Sequence, residues 1–90
     1  MGYKLLVTLD LTSATEDQRK IFYDVLNNQK WSKITSLTTA WKISFGDNAT
    51  KQGVISTVKN DLQKAKTESR VKKVEYALQM DNQDVVISSL

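Results

Sequence analysis

Trp31-Ser32-Lys33-Ile34-Thr35-Ser36-Leu37-Thr38-Thr39-Ala40-Trp41-Lys42-Ile43-Ser44-Phe45 decides the fold. The stretch carries no strong helix signal. In its second half Trp41, Ile43 and Phe45 share one face, and Lys42 and Ser44 share the other. Period-two alternation of aromatic and β-branched residues against polar ones marks a half-buried strand, predicted here over Thr39–Phe45. Trp31–Ser36 reads as a second strand beside it. Leu37-Thr38 between them holds neither Gly nor Asn, so a tight two-residue turn is disfavoured. A bulge or a wider connection is expected there.

On the N-terminal side, Tyr3, Leu5, Val7 and Leu9 alternate with Lys4, Leu6, Thr8 and Asp10, which predicts a strand ending at Asp10. Leu6 on the second face suggests a central strand. Ser13-Ala14-Thr15-Glu16 has the form of a capping box, and Asp17 favours the positive end of the helix that follows. Ile21, Phe22, Val25 and Leu26 give that helix its apolar stripe, and Asn27-Asn28 is a fitting stop.

On the C-terminal side, Gly46-Asp47-Asn48 ends the hairpin, with Asp47 or Asn48 expected to cap a second helix. Val54, Ile55, Val58, Leu62 and Ala65 form its stripe. Gly53, taken as a helix-interior residue, is expected to let the helix sit close to the sheet. Val74, Tyr76, Leu78 and Met80 then alternate with Lys73, Glu75, Ala77 and Gln79, the clearest strand pattern in the chain. Asp81-Asn82-Gln83-Asp84 reads as a turn, and Val85-Val86-Ile87 as an optional fifth strand. The order is β-α-β-β-α-β. That is the split βαβ of the ferredoxin-like class, an α+β sandwich with two helices on one face of an antiparallel sheet. Residues 1–90 are expected to form a single domain.

Composition narrows the chemistry. The chain has 90 residues, no cysteine and no histidine. There is thus no disulfide framework, no thiolate zinc site, and none of the commonest acid–base group. Lys and Arg number 13 against 10 Asp and Glu, a net charge of +3 that permits nucleic-acid binding without requiring it. The N-terminal apolar patch soon meets Asp10 and is too short for a signal peptide or membrane span. The myristoylation pattern fails because position 6 is Leu. A cytoplasmic address without membrane association is the expectation.

Three groups of residues stand out. Asp10, at the end of a central strand, is the candidate metal ligand and catalytic carboxylate. Mg²⁺ is commonly held by one or two carboxylates with phosphate and water. The same Asp would equally shape the turn into the helix. Lys64, Lys66, Arg70, Lys72 and Lys73, with Lys59 upstream, gather around the end of the second helix. They read either as a phosphate-binding ridge or as cations that complement the helix dipole. Trp31, between Lys30 and Lys33, is a candidate for stacking on a base, whereas Trp41 and Tyr76 share parity with core residues. No second carboxylate is placed near Asp10 by sequence spacing, and no P-loop, GxGxxG, HExxH or GxSxG pattern is present.

Tyr3-Lys4-Leu5-Leu6-Val7-Thr8-Leu9-Asp10, the helix bearing Phe22-Tyr23-Asp24-Val25-Leu26, then Trp31 and Thr39-Ala40-Trp41-Lys42-Ile43, resemble a group of small ferredoxin-like bacterial proteins. These are the small CRISPR-adaptation nuclease subunits, the short SinR-like proteins and the GhoS endoribonuclease antitoxins. In the adaptation subunits the first strand ends in an Asp taken as the metal ligand, which the resemblance maps to Asp10. The SinR-like proteins tend to carry a Trp after the first helix and Ser-Thr-Trp in the next hairpin. Trp31 and Thr39-Ala40-Trp41 correspond, with Ala in place of the Thr. The resemblance implies a homodimer, a link to RNA or DNA, and ribonuclease activity with Mg²⁺. The GhoS-type proteins offer no catalytic motif that transfers residue by residue. The leading expectation is a homodimeric nucleic-acid-associated protein, either an endoribonuclease-type antitoxin or an inactive relative of a metal-dependent nuclease. The rival is a module that binds a protein partner, as an inhibitor or mobile-element regulator with no nucleic-acid chemistry.

Overall fold

A computed structural model describes residues 2–34, 40–83 and 86–89. It contains β1 (Lys4–Thr12), α1 (Glu16–Asn28), β2 (Ser32–Lys33), β3 (Ala40–Ser44), α2 (Lys51–Ser69) and β4 (Lys73–Asp81). The four strands form one antiparallel sheet in the order β2-β3-β1-β4. Element order and strand order together are those of the ferredoxin-like sandwich.

The central strand explains the layering. Leu5, Val7, Leu9 and Leu11 of β1 are all buried, as period two requires of one face. Trp41 and Ile43 of β3 join them from one side. The helices supply Phe22, Val25 and Leu26 from α1, and Val54, Val58, Leu62 and Ala65 from α2. The opposite sheet face carries Thr8, Asp10, Thr12, Lys42, Ser44, Glu75 and Gln79, all exposed. A Cβ on Gly2 would overlap the Phe45 carbonyl oxygen, so only glycine fits the chain where it enters beside β3.

Both helix starts lie further along the chain than expected. Thr15, not Ser13, caps α1: its hydroxyl accepts from the Gln18 amide at 3.1 Å, and Gln18 Oε1 accepts from the Thr15 amide at 3.0 Å. Ser13 sits at φ 56, in the turn out of β1, where it cannot start a helix. Thr50, not Asp47 or Asn48, caps α2 and accepts from the Gly53 amide at 3.0 Å. Gly53 is thus a first-turn residue and exposed, and it does not bring the helix close to the sheet.

Other boundaries shift as well. β1 runs on to Thr12, so Asp10 lies inside the strand and not at its end. β2 is only Ser32–Lys33, shorter than expected, and the predicted connection at Leu37-Thr38 lies outside the described residues. Among the described residues of the C-terminal segment there is no fifth strand: 86–89 are not paired, and Val85 lies outside the described set. No helix among the described residues is long and apolar enough to cross a membrane.

Candidate nucleic-acid interface

β1 and β4 pair so that Asp10 stands directly opposite Glu75 on the exposed sheet face. Directly opposed residues have Cβ atoms roughly 4.5–5.5 Å apart, and like charges placed so repel. Sequence spacing alone showed no second carboxylate beside Asp10, because the pairing depends on the register of two strands far apart in the chain. Lys73, two residues from Glu75 on the same face, moderates the repulsion, with its Nζ at 3.4 Å from Glu75 Oε1. The pair borders a shallow depression of about 330 Å³ shared with Thr8, Leu9, Tyr76 and Ala77. Among the described residues no cluster of three or more acidic ligands could hold a metal. Two exposed carboxylates suit Mg²⁺, which takes one or two such oxygens and leaves its remaining positions to water and phosphate.

The cations are spread over several surfaces rather than lined along one ridge. Lys64 is exposed and lies two residues past buried Leu62. At about 100° per residue it therefore points from the back of α2. Arg70 forms the left-handed end of α2 at φ 63, its N–H donating to the Lys66 carbonyl at 3.0 Å. The Arg70 carbonyl accepts from Gln18 Nε2 at 3.3 Å, which ties the α2 end to the first turn of α1. Lys72 is exposed in the link to β4, and Lys73 opens β4 on the carboxylate face. Lys66 faces the other way. With Lys59, Leu62, Gln63, Val74 and Tyr76 it lines a groove of about 280 Å³ between α2 and β4.

Tyr76 corrects a parity argument. It points to the helix side, as alternation requires, yet is 39% exposed, because β4 is an edge strand whose flank is only partly covered by α2. Lys59 and Tyr76 thus belong to the candidate surface. The signal for Lys59 was its spacing of seven from Lys66, with Gln63 between, which puts the three on one helix flank.

Trp31 leaves that surface. It is 2% exposed, and its indole N–H donates to Asp61 Oδ2 at 2.9 Å. The cause is the end of α1. Lys30 turns left-handed at φ 70, the Lys30 amide bonds to Asn27 O at 3.1 Å, and the Trp31 amide bonds to Leu26 O at 3.0 Å. That 5→2 and 6→1 pair is a Schellman motif, which turns the following apolar residue back onto the helix. The indole is core, and its ring is not available to a base.

A third depression, of about 570 Å³, runs along α1 between Glu16 and Asn27 and ends on Trp41. Lys33 lies 5.0 Å over the Tyr23 ring there, and the Tyr23 and Trp41 rings meet at 5.4 Å, tilted by 49°. Its lining mixes Glu16, Asp17 and Asp24 with Arg19, Lys20 and Lys33, so it has no charge preference. No protein-family model matches the chain, and no curated protein or solved structure matches it either.

Proposed function

We propose that this chain is a homodimeric nucleic-acid-associated protein that holds Mg²⁺ between Asp10 and Glu75 and acts on phosphodiesters at the exposed sheet face. The observation that carries the reading is the cross-strand register that opposes these carboxylates, with Lys73 at their side. Two facing carboxylates weaken a sheet unless something cationic shares them; Lys73 pairs with Glu75, which leaves the Asp10 side of the pair to a bound cation. Bound Mg²⁺ would supply charge neutralisation at a phosphate oxygen and a water of lowered pKa. Asp10 and Glu75 would orient the ion. Lys72 and Lys73 would hold the flanking phosphates. With no histidine in the chain, proton transfer on this face falls to carboxylate and water. The resemblance to the adaptation nuclease subunits, the SinR-like proteins and the GhoS antitoxins points the same way.

The test is cleavage of labelled single- and double-stranded RNA and DNA, with Mg²⁺ and with a chelator. Cleavage that needs Mg²⁺ is expected, along with its loss by a factor of 10² or more in Asp10→Asn and Glu75→Gln at unchanged melting temperature, roughly the scale of removing an electrostatic stabiliser. Full activity in either variant, or in the chelator, removes the carboxylate pair from the reaction. Absence of any salt-dependent binding removes the nucleic-acid reading altogether.

A second reading, recognition of a protein partner by strand addition, has its own observation. β4 ends the sheet, and its outer side is unpaired among the described residues. A complex with one protein that survives high salt would favour it.

A further inference from the structure

We infer that the groove between α2 and β4 binds a single-stranded polynucleotide, with one unpaired base stacked on Tyr76 and phosphates held by Lys59 and Lys66. This rests on the nucleic-acid reading above and names the form of nucleic acid and the residues that would grip it. Three observations carry it. First, charge: two lysines and no carboxylate line this groove, whereas the depression beside it holds Asp10 and Glu75 and the one along α1 mixes both signs. Among the described residues neither Lys59 nor Lys66 forms an ion pair, unlike Lys73, so both ammonium groups remain for an external anion. Second, chemistry: Tyr76 is the one aromatic ring among the exposed large apolar side chains of the described residues, and it lies on the groove floor with Val74 and Leu62. An aromatic platform flanked by cations is how single strands are held without sequence readout. A duplex keeps its bases stacked inside and offers no face to such a ring. Third, continuity: Tyr76 borders both this groove and the depression at Asp10 and Glu75. The groove and the carboxylate depression therefore adjoin at this one residue.

The test is fluorescence anisotropy with a labelled oligouridylate, an abasic chain of equal length, a duplex, and a polyglutamate peptide. A chelator is present throughout to prevent cleavage. Oligouridylate should bind the wild type better than the abasic chain, the duplex or the peptide. Tyr76→Ala should weaken it about tenfold, the low end of what one stacked base supplies, while Tyr76→Phe keeps the affinity. The abasic chain should not distinguish Tyr76→Ala from wild type. Lys59→Gln with Lys66→Gln, both on the helix flank, should lower the salt slope by about 1.4, at roughly 0.7 per phosphate contact on a single strand. Equal affinity of Tyr76→Ala and wild type, equal binding of uridylate and abasic chain, or an unchanged salt slope in the lysine pair each overturns the groove. Polyglutamate binding as tightly makes it a generic anion site and also overturns it. A wild type that binds no polynucleotide sinks this inference together with the proposed function; binding that ignores all three substitutions sinks the inference alone.

Discussion

The two tryptophans show how much one hydrogen bond changes a buried ring. Trp31 and Trp41 are 2% and 0% exposed, yet among the described residues only Trp31 has an acceptor, Asp61, for its indole N–H. Trp41 Nε1 is buried and has no partner among the described residues. A buried donor left unpaired costs about 1–3 kcal/mol, so Trp41 already bears a penalty that Trp31 avoids. Phenylalanine removes that penalty at Trp41 but strands the half-buried Asp61 carboxylate at Trp31. Trp31→Phe should therefore lose more stability than Trp41→Phe in urea unfolding, by roughly 1–2 kcal/mol. Asp61→Ala should cost about 1–3 kcal/mol and Asp61→Asn less, since the amide oxygen still accepts. Equal losses at the two tryptophans would mean that Trp41 has an acceptor as well. Read from the sequence, Trp31 lay between lysines and looked exposed. Nothing local announced Asp61, which lies thirty positions away.

Elements were legible wherever periodicity was strong, and their edges were not. β1, β3, β4 and the stripes of both helices follow the spacing of apolar residues, because burial on one face enforces that spacing. Helix starts slipped because the chain offers more than one eligible cap at each: Ser13 and Thr15, then Asp47, Asn48 and Thr50. Only the backbone path out of the preceding strand selects between them. α1 ends at Asn28, as Asn27-Asn28 suggested, but the turn that follows was not legible. A Schellman turn is announced by glycine, and here Lys30 takes the left-handed position at φ 70. Arg70 does the same at the end of α2, at φ 63. A non-glycine residue pays roughly 1 kcal/mol or more for that conformation, partly offset by a cation's attraction to the negative helix end. Lys30→Gly should thus raise stability by about 0.5–1 kcal/mol, read as a higher urea midpoint at unchanged m-value. A lower midpoint would show that Lys30 makes a contact worth more than the strain. The candidate site divides along the same line. The lysines could be read one by one, but Asp10 facing Glu75 and Tyr76 facing a groove depend on strand register and on β4 being an edge.

At the scale of the whole molecule the unfinished feature is that edge. β4 runs nine residues, Lys73–Asp81, and among the described residues pairs only with β1. An uncovered strand of this length invites pairing with another chain, and proteins usually blunt it with charge. Here the charges sit toward the ends, at Lys73, Glu75 and Asp81, leaving Tyr76-Ala77-Leu78-Gln79-Met80 uncharged in the middle. Just beyond lie Val86 and Ile87, which are 89% and 43% exposed. An unpaired strand edge and an unburied apolar tail in one chain can satisfy each other if two copies exchange tails. A two-fold arrangement does so twice at once, which is why closed symmetry is the usual outcome for homo-oligomers. Asn82 and Gln83 form a bend after β4, and such a turn permits tail exchange as well as a hairpin return. Sedimentation should therefore show a dimer for the full chain at micromolar concentration and a monomer for a chain ending at Asp84. Val86→Lys with Ile87→Lys should dissociate the dimer equally while leaving the melting temperature of the monomer unchanged, since neither side chain packs on the core. Should the shortened chain remain dimeric, the tails are not the seam. The edges themselves would then be paired, antiparallel about Ala77, which sets Lys73 of each copy opposite Asp81 of the other. Lys73→Asp would then split the dimer by placing like charges across the seam, and Asp81→Lys in the same chain would restore it.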